Sequence, residues 1–453
     1  MFNPSIFKAY DIRGIYGQDF DDDFAYHLGL AYMSFRSQIV PDRCGFKIVV
    51  GHDMRLSSPS LKEALIRGLV AGGANVIDIG LVSTPTFYFA VANFSYDGGL
   101  MISASHNPGQ WNGFKVVLDH ARPVSENNGL LILRDKIISG EKNICTEIGK
   151  VTIHNNILEE HVAYDMERSG VKNIKPLKIV VDTANGMGAQ YLEAVLAKFP
   201  LEVIKMNFKL DGTFPVHEAD PLKPENLADL QAMVKKEKAN LGISTDGDGD
   251  RVFFVDNKGN IIKQAIIRGL LAQMFLRDRP GAKIGYDVRP GKITEDMILA
   301  AGGIPVVTRV GHSLIKEQMI KENIYFSGES SGHFYLNMSV GCFEAPVIMI
   351  LKLLEALSES KKSMEKYIAP YEKYFATPEI NIDVPDKDKV LKSLAAKYKD
   401  GKITKIDGLS VTYPNFWFNV RASNTENKIR VNIEAVDEEI LEREKNKLLD
   451  LIK

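Results

Sequence analysis

Cysteine is scarce in this chain of 453 residues: Cys44, Cys145 and Cys342 are the only ones. They are far apart and odd in number, so they fit neither a zinc-ligand spacing nor a disulfide framework. The expectation is a reducing compartment, with a packing role for each. An excess of either charge is also missing. The 56 basic and 58 acidic residues leave a formal net charge of -2, which offers no electrostatic footprint for nucleic acid or for a polybasic membrane contact. Long hydrophobic runs are absent too: the stretch Val347 to Leu357 is cut by Lys352 and falls short of a membrane span. The opening Met1-Phe2-Asn3-Pro4 has no basic segment followed by an apolar one, so no secretory signal is expected. These absences predict a soluble, cytoplasmic protein with no nucleic-acid or membrane partner.

What is present is ordinary globular material. Hydrophobic residues make up 45% and charged residues 25% of the chain, enough for several cores. The length suggests about three or four domains. Short apolar runs alternate with helical patterns. Lys47-Ile48-Val49-Val50-Gly51 reads as a strand, and Ser58-Pro59 opens a helix with Leu61, Leu65 and Leu69 on one face. Further strands are expected at Asn75 to Ile79, Gly99 to Ile102, Leu177 to Asp182, Asn240 to Ser244, Lys283 to Val288 and Ile304 to Thr308. Strands separated by helices read as βαβ units with parallel or mixed sheets. The segment from Glu141 to Asn156 is polar and weakly patterned, and a first boundary is placed near it. From Tyr371 apolar positions thin out, as expected of a smaller, open α+β domain.

Three of the strands end in loops of small polar residues, at Ser105, Asp246 and Gly328. Three similar α/β units, each giving a loop at a strand's C-terminal end, would wall one cleft. In Ser103-Ala104-Ser105-His106-Asn107-Pro108 the proline blocks a helix, and hydroxyls beside an imidazole suit a nucleophile with a proton-transfer partner. A turn whose Ser and Asn satisfy backbone groups is the plainer alternative. The turn and strand from Asn112 to Val117 would swing Lys115 back toward the serine. In Asp246-Gly247-Asp248-Gly249-Asp250-Arg251 close carboxylates repel unless a cation sits among them, and hard oxygen ligands select Mg²⁺ or Ca²⁺. An EF-hand would need glycine and glutamate where Arg251 and Asn257 stand, between helices rather than strands. That favours Mg²⁺ bound with a phosphate over a calcium loop, with a solvated acidic turn as the alternative. Gly328-Glu329-Ser330-Ser331-Gly332-His333 offers a carboxylate and hydroxyls suited to vicinal sugar hydroxyls, with a glycine-rich loop holding a satisfied Glu as the equal alternative. Arg421-Ala422-Ser423-Asn424-Thr425 offers a guanidinium, hydroxyls and loop N–H groups suited to a phosphate. An Asx/ST turn is the alternative there. Together these parts suit phosphoryl transfer on a phosphorylated sugar.

These four stretches, in this order, resemble the four signatures of the α-D-phosphohexomutases, most like the bacterial phosphomannomutase/phosphoglucomutase group, and the likeness spans essentially the whole chain. Tyr10-Asp11-Ile12-Arg13-Gly14, Gly311-His312-Ser313 and His217 through Pro224-Glu225-Asn226-Leu227 are similar to further family segments. The resemblance implies four domains around a central cleft. These are a phosphoserine-bearing domain at 1–150, a metal-binding domain at 151–256, a sugar-recognition domain at 257–370 and a smaller C-terminal α+β phosphate-binding domain at 371–453. It implies phospho-Ser105 in the resting enzyme and Mg²⁺ held by Ser105, Asp246, Asp248 and Asp250. It implies interconversion of hexose 1- and 6-phosphates through a hexose 1,6-bisphosphate. His106, Lys115, Arg251 and His312 are then candidates for proton transfer and charge stabilisation. Tyr10, Arg13, Arg289, Gly311, Glu329, Ser331, His333, Arg421, Ser423, Asn424 and Thr425 are candidates for binding a mannose or glucose phosphate. Two positions depart from the group: Asn427 stands where proline usually follows, and Arg289 where lysine is common. Arginine stays protonated, so no acid/base role carries over to Arg289. A phosphoglucosamine mutase, and a non-catalytic sugar-phosphate and Mg²⁺ binder, are the alternatives. A monomer or a homodimer fits equally.

Overall fold

The computed structural model describes residues 2–41, 43–140, 147–289, 291–422 and 428–452. The chain divides into two compact units, Met1–Ile262 with Gly332–Glu365, and Lys263–Ser331 with Lys366–Lys453. Mixed α/β layers build both.

The first unit opens with a mixed sheet of β1 (Ile12–Ile15), β2 (Lys47–His52), β3 (Asn75–Leu81), β4 (Gly98–Ile102), β5 (Trp111–Leu118) and β6 (Val151–Ile153). Their order is β1-β5-β4-β2-β3-β6, with β2, β3, β4 and β6 parallel and β5 antiparallel to its neighbours. The central strands read as unbroken apolar runs because both faces are covered. Ile48 and Val50 of β2 point into a core with Leu28, Leu65 and Leu69, while Val49 points to the other side with Phe87, Tyr88 and Val91. The helix Ser58–Ala71 starts as expected, with proline in its first turn and Leu61, Leu65 and Leu69 buried. The weakly patterned stretch after residue 140 contains β6, whose residues are all exposed. An edge strand seated by backbone pairing alone carries no apolar alternation to read.

A second sheet follows: β7 (Leu177–Asp182), β8 (Leu201–Met206), β9 (Leu241–Thr245) and β10 (Val252–Asp256), in the order β10-β9-β7-β8. In the second unit β11 (Lys283–Asp287), β12 (Ile304–Thr308) and β13 (Phe326–Gly328) run parallel, with β11 in the middle. The parallel triplets β4-β2-β3, β9-β7-β8 and β13-β11-β12 therefore share one order. The faint repeat of strand-plus-polar-loop is a repeat of topology. The first unit also holds the antiparallel pair β14 (Phe334–Asn337) and β15 (Cys342–Glu344).

The C-terminal sheet, in the second unit, is antiparallel: β16 (Phe375–Ala376), β17 (Ile380–Asp383), β18 (Lys402–Thr404), β19 (Leu409–Thr412), β20 (Phe416–Ala422) and β21 (Lys428–Ala435). The helices Lys387–Lys397 and Glu438–Ile452 cover one face of it, through Leu394, Leu441, Leu448 and Ile452. Glu434 of β21 accepts from the backbone N–H groups of Gly291 and Lys292 and from Trp417 Nε1 at 2.7 Å. Burial pushes this carboxyl up, partly offset by those donors. Of the cysteines, Cys342 is buried and in no disulfide, whereas Cys44 is disulfide-bonded, so packing is not its role. Cys145 lies outside the described residues.

Candidate active site

The Ser105 loop leaves β4 with Ser103, Ala104 and Ser105 buried and the residues after them partly exposed. Ser105 itself is 1% exposed and sits at φ 50°, in the left-handed region that costs a non-glycine residue energy. Local bonds hold it there: its N–H donates to Ser103 Oγ at 2.9 Å, and Asn107 N–H donates to Ala104 O. Arg13 of β1 adds a clamp from the next strand but one, donating from Nη1 to Asn107 Oδ1 at 2.7 Å and to Ala104 O at 3.3 Å. The Ser105 hydroxyl then donates to Asp246 Oδ2 at 2.8 Å and lies 3.1 Å from His106 Nδ1. Tyr10 lies half-buried in the bend before β1.

Asp246, Asp248 and Asp250 follow β9, and a ligand oxygen from each lies within 4.8 Å of the others. The loop is shaped locally. Asp246 Oδ1 accepts from the N–H groups of Asp250 and Arg251, both at 3.1 Å, and Gly249 takes φ 75°, which only glycine adopts freely. Gly247 passes so close to the serine loop that a Cβ there would stand 2.4 Å from Ser105 O. Lys115 on β5 places Nζ 2.8 Å from Asp248 Oδ2 and 2.6 Å from Asp250 Oδ2. His333 Nε2 lies 3.1 Å from Asp250 Oδ1, and Arg251 reaches Asp220 Oδ1 at 3.3 Å.

The charges follow from this packing. Burial works against the charge of Lys115, but Asp248 and Asp250 outweigh it and hold the ammonium well above the usual lysine range. Burial, with Asp250 and Asp248, pushes Asp246 well up. For Asp250 burial is outweighed by Lys115, His333 and Arg251, which hold it well below. Burial and the Arg251 and Arg13 guanidinium groups hold His106 well below the imidazole range, so its ring is neutral near pH 7. The donor set fits a hard divalent cation. The carboxylates converge on one point, and the buried Asp248 Oδ1 has no hydrogen-bond partner.

In the second unit Arg289 bonds Asp287 through Nε at 2.7 Å and Glu329 Oε1 through Nη2 at 3.1 Å. Burial opposes its charge, but Asp287 and Glu329 raise its pKa further. Glu329 Oε1 also accepts from Gly311 N–H at 3.2 Å. Gly311 precedes the helix His312–Glu322, which His312 begins. Ser331 is buried. Arg421 Nη2 bonds Glu379 at 2.7 Å. Ser423, Asn424 and Thr425, and the departure at Asn427, lie outside the described residues.

Four family models match in sequence: phosphoglucomutase/phosphomannomutase alpha/beta/alpha domains I, II and III at residues 4–137, 158–259 and 263–374, and the C-terminal domain at 379–451. The chain belongs to the phosphoglucomutase/phosphomannomutase family. It is 36% identical over 450 residues to a phosphomannomutase of Methanocaldococcus jannaschii, covering 99% of this chain and 97% of that one. It is 38% identical over 444 residues to a phosphomannomutase/phosphoglucomutase of Pseudomonas aeruginosa, covering 97% and 93%. A family protein of Burkholderia thailandensis has a similar solved structure, with TM-score 0.90, 31% identity, and 100% and 98% of the two chains covered.

In this phosphoglucomutase/phosphomannomutase family member, residues outside those motifs also bond to the candidate residues or to their loops. Thr84, opening the helix Thr84–Asn93, donates to Asp248 Oδ2 at 2.6 Å. Arg268, fully buried, donates to Asp287 Oδ1 at 2.8 Å and to Ser330 Oγ at 3.0 Å, and Ser330 N–H donates to Asp287 Oδ2 at 3.0 Å. Asp287 thereby seats the Glu329 loop and Arg289 at once. The signal for Asp287 was its place at a strand's C-terminal end; for Thr84 and Arg268 there was none.

Proposed function

We propose that this protein interconverts the 1- and 6-phosphates of mannose and glucose through a phosphoserine at Ser105 and a hexose 1,6-bisphosphate. The observation that carries the reading is the Ser105 hydroxyl, bonded to Asp246 in a buried site that also holds Asp248, Asp250 and Lys115. A phosphoryl group on Ser105 would stand against that cluster. In the forward step the bond from phosphorus to Ser105 Oγ breaks, a bond to the free sugar hydroxyl oxygen forms, the sugar hydroxyl proton passes to a base, and Ser105 Oγ takes up a proton to become the free hydroxyl. His106, neutral near pH 7 and 3.1 Å from Ser105 Oγ, is suited by distance to take the proton of the serine hydroxyl itself when a phosphoryl group returns to it. In the second step the other phosphate of the bisphosphate returns to Ser105.

Asp246, Asp248 and Asp250, with a phosphoserine oxygen, would hold Mg²⁺, which when bound offsets the charge developing on the transferred group. Lys115 keeps a fixed positive charge beside the same oxygens. Glu329, held by Arg289 and Gly311 N–H, is suited to a pair of sugar hydroxyls, and Arg421 to the phosphate that is not reacting. Ser331, His312, His333, Tyr10 and Arg13 complete the proposed set, and a monomer or a homodimer fits it.

Peptide mapping of the purified protein before and after glucose 1,6-bisphosphate tests the reading. Phosphate on Ser105, absent from Ser105→Ala, together with conversion of mannose 1-phosphate and glucose 1-phosphate, is the expected result. A serine that never carries phosphate would overturn it. Conversion of glucosamine 1-phosphate alone would replace the sugar in the proposal but not the chemistry.

A further inference from the structure

The loop that carries Ser105 is wrapped around a cation that touches no reacting group. Arg55, in the loop after β2, is 1% exposed and one of the largest fully buried side chains. Its Nη2 donates to Ser105 O at 2.8 Å and to Asn107 O at 2.7 Å. Its Nη1 donates to Pro108 O at 2.8 Å and to Trp111 O at 2.9 Å. Nε turns back to Asp53 Oδ2 at 3.1 Å, and Asp53 Oδ1 takes Arg55 N–H and Ser58 Oγ. The Phe214 ring closes one side, 5.1 Å from the guanidinium carbon. Every N–H of the guanidinium fork thus has an acceptor, and most of those acceptors are carbonyls of the Ser105 loop.

Carbonyl dipoles that converge inside a protein repel one another unless a donor sits at their focus. A flat fork of fixed directions meets several at once; an ammonium, a point charge on a flexible stem, does not. The bond to Ser105 O also fixes the peptide plane that follows Ser105. Strained backbone persists only where its surroundings over-determine it, and Ser105 at φ 50° is held from below by Arg55, from its own N–H by Ser103 and from the flank by Arg13.

We propose that Arg55 is the positioning residue of phosphoryl transfer, acting through the loop carbonyls to keep Ser105 Oγ aimed at the carboxylate cluster. The inference rests on the mutase reading above. It assigns to Arg55 a share of the transfer rate beyond its share of stability.

The test compares wild type, Arg55→Lys, Arg55→Ala and, as a stability control, Arg36→Met. Arg36 is a buried arginine beside Phe46, in the helix Asp22–Ile39. Each protein is phosphorylated with labelled glucose 1,6-bisphosphate, and transfer from Ser105 to glucose 1-phosphate is followed in a single turnover, alongside kcat, KM and the melting temperature. Arg55→Lys should fold and lose about 10²-fold in transfer rate and kcat, the scale of a small misplacement of a reacting atom, with KM changed by no more than about threefold. Free guanidinium ion should raise the transfer rate of Arg55→Ala about tenfold or more, saturably. Arg36→Met should shift the melting temperature, its Nε and Nη1 being buried without hydrogen-bond partners, while its transfer rate stays near that of wild type. Arg55→Lys that folds and transfers at the wild-type rate overturns the inference. So does guanidinium that restores the melting temperature of Arg55→Ala without its rate, or an Arg36→Met whose rate falls as far as that of Arg55→Lys. If Arg55→Ala does not fold, Arg55→Lys against Arg36→Met decides. Wild type without phosphate on Ser105 refutes the mutase reading, a result separate from any change between variants.

Discussion

Replacing Lys115 by methionine should turn this protein into one whose stability leans on a divalent cation. The ammonium sits 2.8 Å from Asp248 and 2.6 Å from Asp250, with 4% of the lysine side chain exposed and no more than 1% of either carboxylate. Methionine keeps the apolar stem but leaves two buried carboxylates facing each other, with Asp246 a third within reach. Removing one partner of such a buried pair costs about 3–5 kcal/mol. In a unit of this size that is a fall in melting temperature on the order of 10 °C. A cation bound among the carboxylates restores what the ammonium supplied, and at about 100 times its dissociation constant it contributes about 2.7 kcal/mol. Calorimetric melting of both proteins in EDTA and in millimolar MgCl₂ checks this. The variant should melt well below wild type in EDTA, and Mg²⁺ should raise its melting temperature by clearly more than that of wild type. Equal melting in EDTA, or equal shifts with Mg²⁺, would refute the reasoning, because Lys115 would then not be the counter-charge of this cluster.

Two other outcomes test how the site is assembled. Gly247→Ala places a methyl against the backbone at Ser105 O and should push the serine and carboxylate loops apart, lowering kcat about 10²-fold with a much smaller change in KM; steady-state kinetics showing near-normal kcat would contradict the close approach. His217, 3.0 Å from Asp182, has its pKa raised from 6.5, first by its hydrogen bond to Asp182 and against partial burial. Its contribution, about 1 kcal/mol for a half-buried pair, is present in full below the unfolded value of 6.5 and fades as pH rises through the higher folded value. Urea melts should therefore show His217→Gln weaker than wild type at pH 5.5 and equal to it near pH 9; a gap that widens with pH would reverse the sign.

Local pattern was enough for the strands and for the loops at their ends. An apolar run that stops at Ser103, or at Asp246, announces both a buried strand and the polar turn that follows, because burial and turn formation are decided within a few residues. The shared order of the parallel triplets was legible only as a faint repeat, since any apolar side chain of suitable size fills a core. The strand β6 was missed because backbone pairing at a sheet edge selects no side-chain pattern. The disulfide at Cys44 was missed because spacing along the chain says little about distance in space.

Residue types and their spacing were enough to mark side chains suited to phosphoryl transfer: Ser105 with His106, the Asp246–Asp250 run and Glu329 on loops, and Arg421 at the end of β20. Which of them meet depends on how the chain closes in space. Asp246 lies 141 positions from Ser105 and bonds its hydroxyl. Lys115 on β5 reaches Asp250 across 135 positions. Arg55 gathers the Ser105 loop from 50 or more positions away. Such contacts depend on strand order and on the directions in which strand ends point, and a buried charge reveals its partner only when the chain has closed around both.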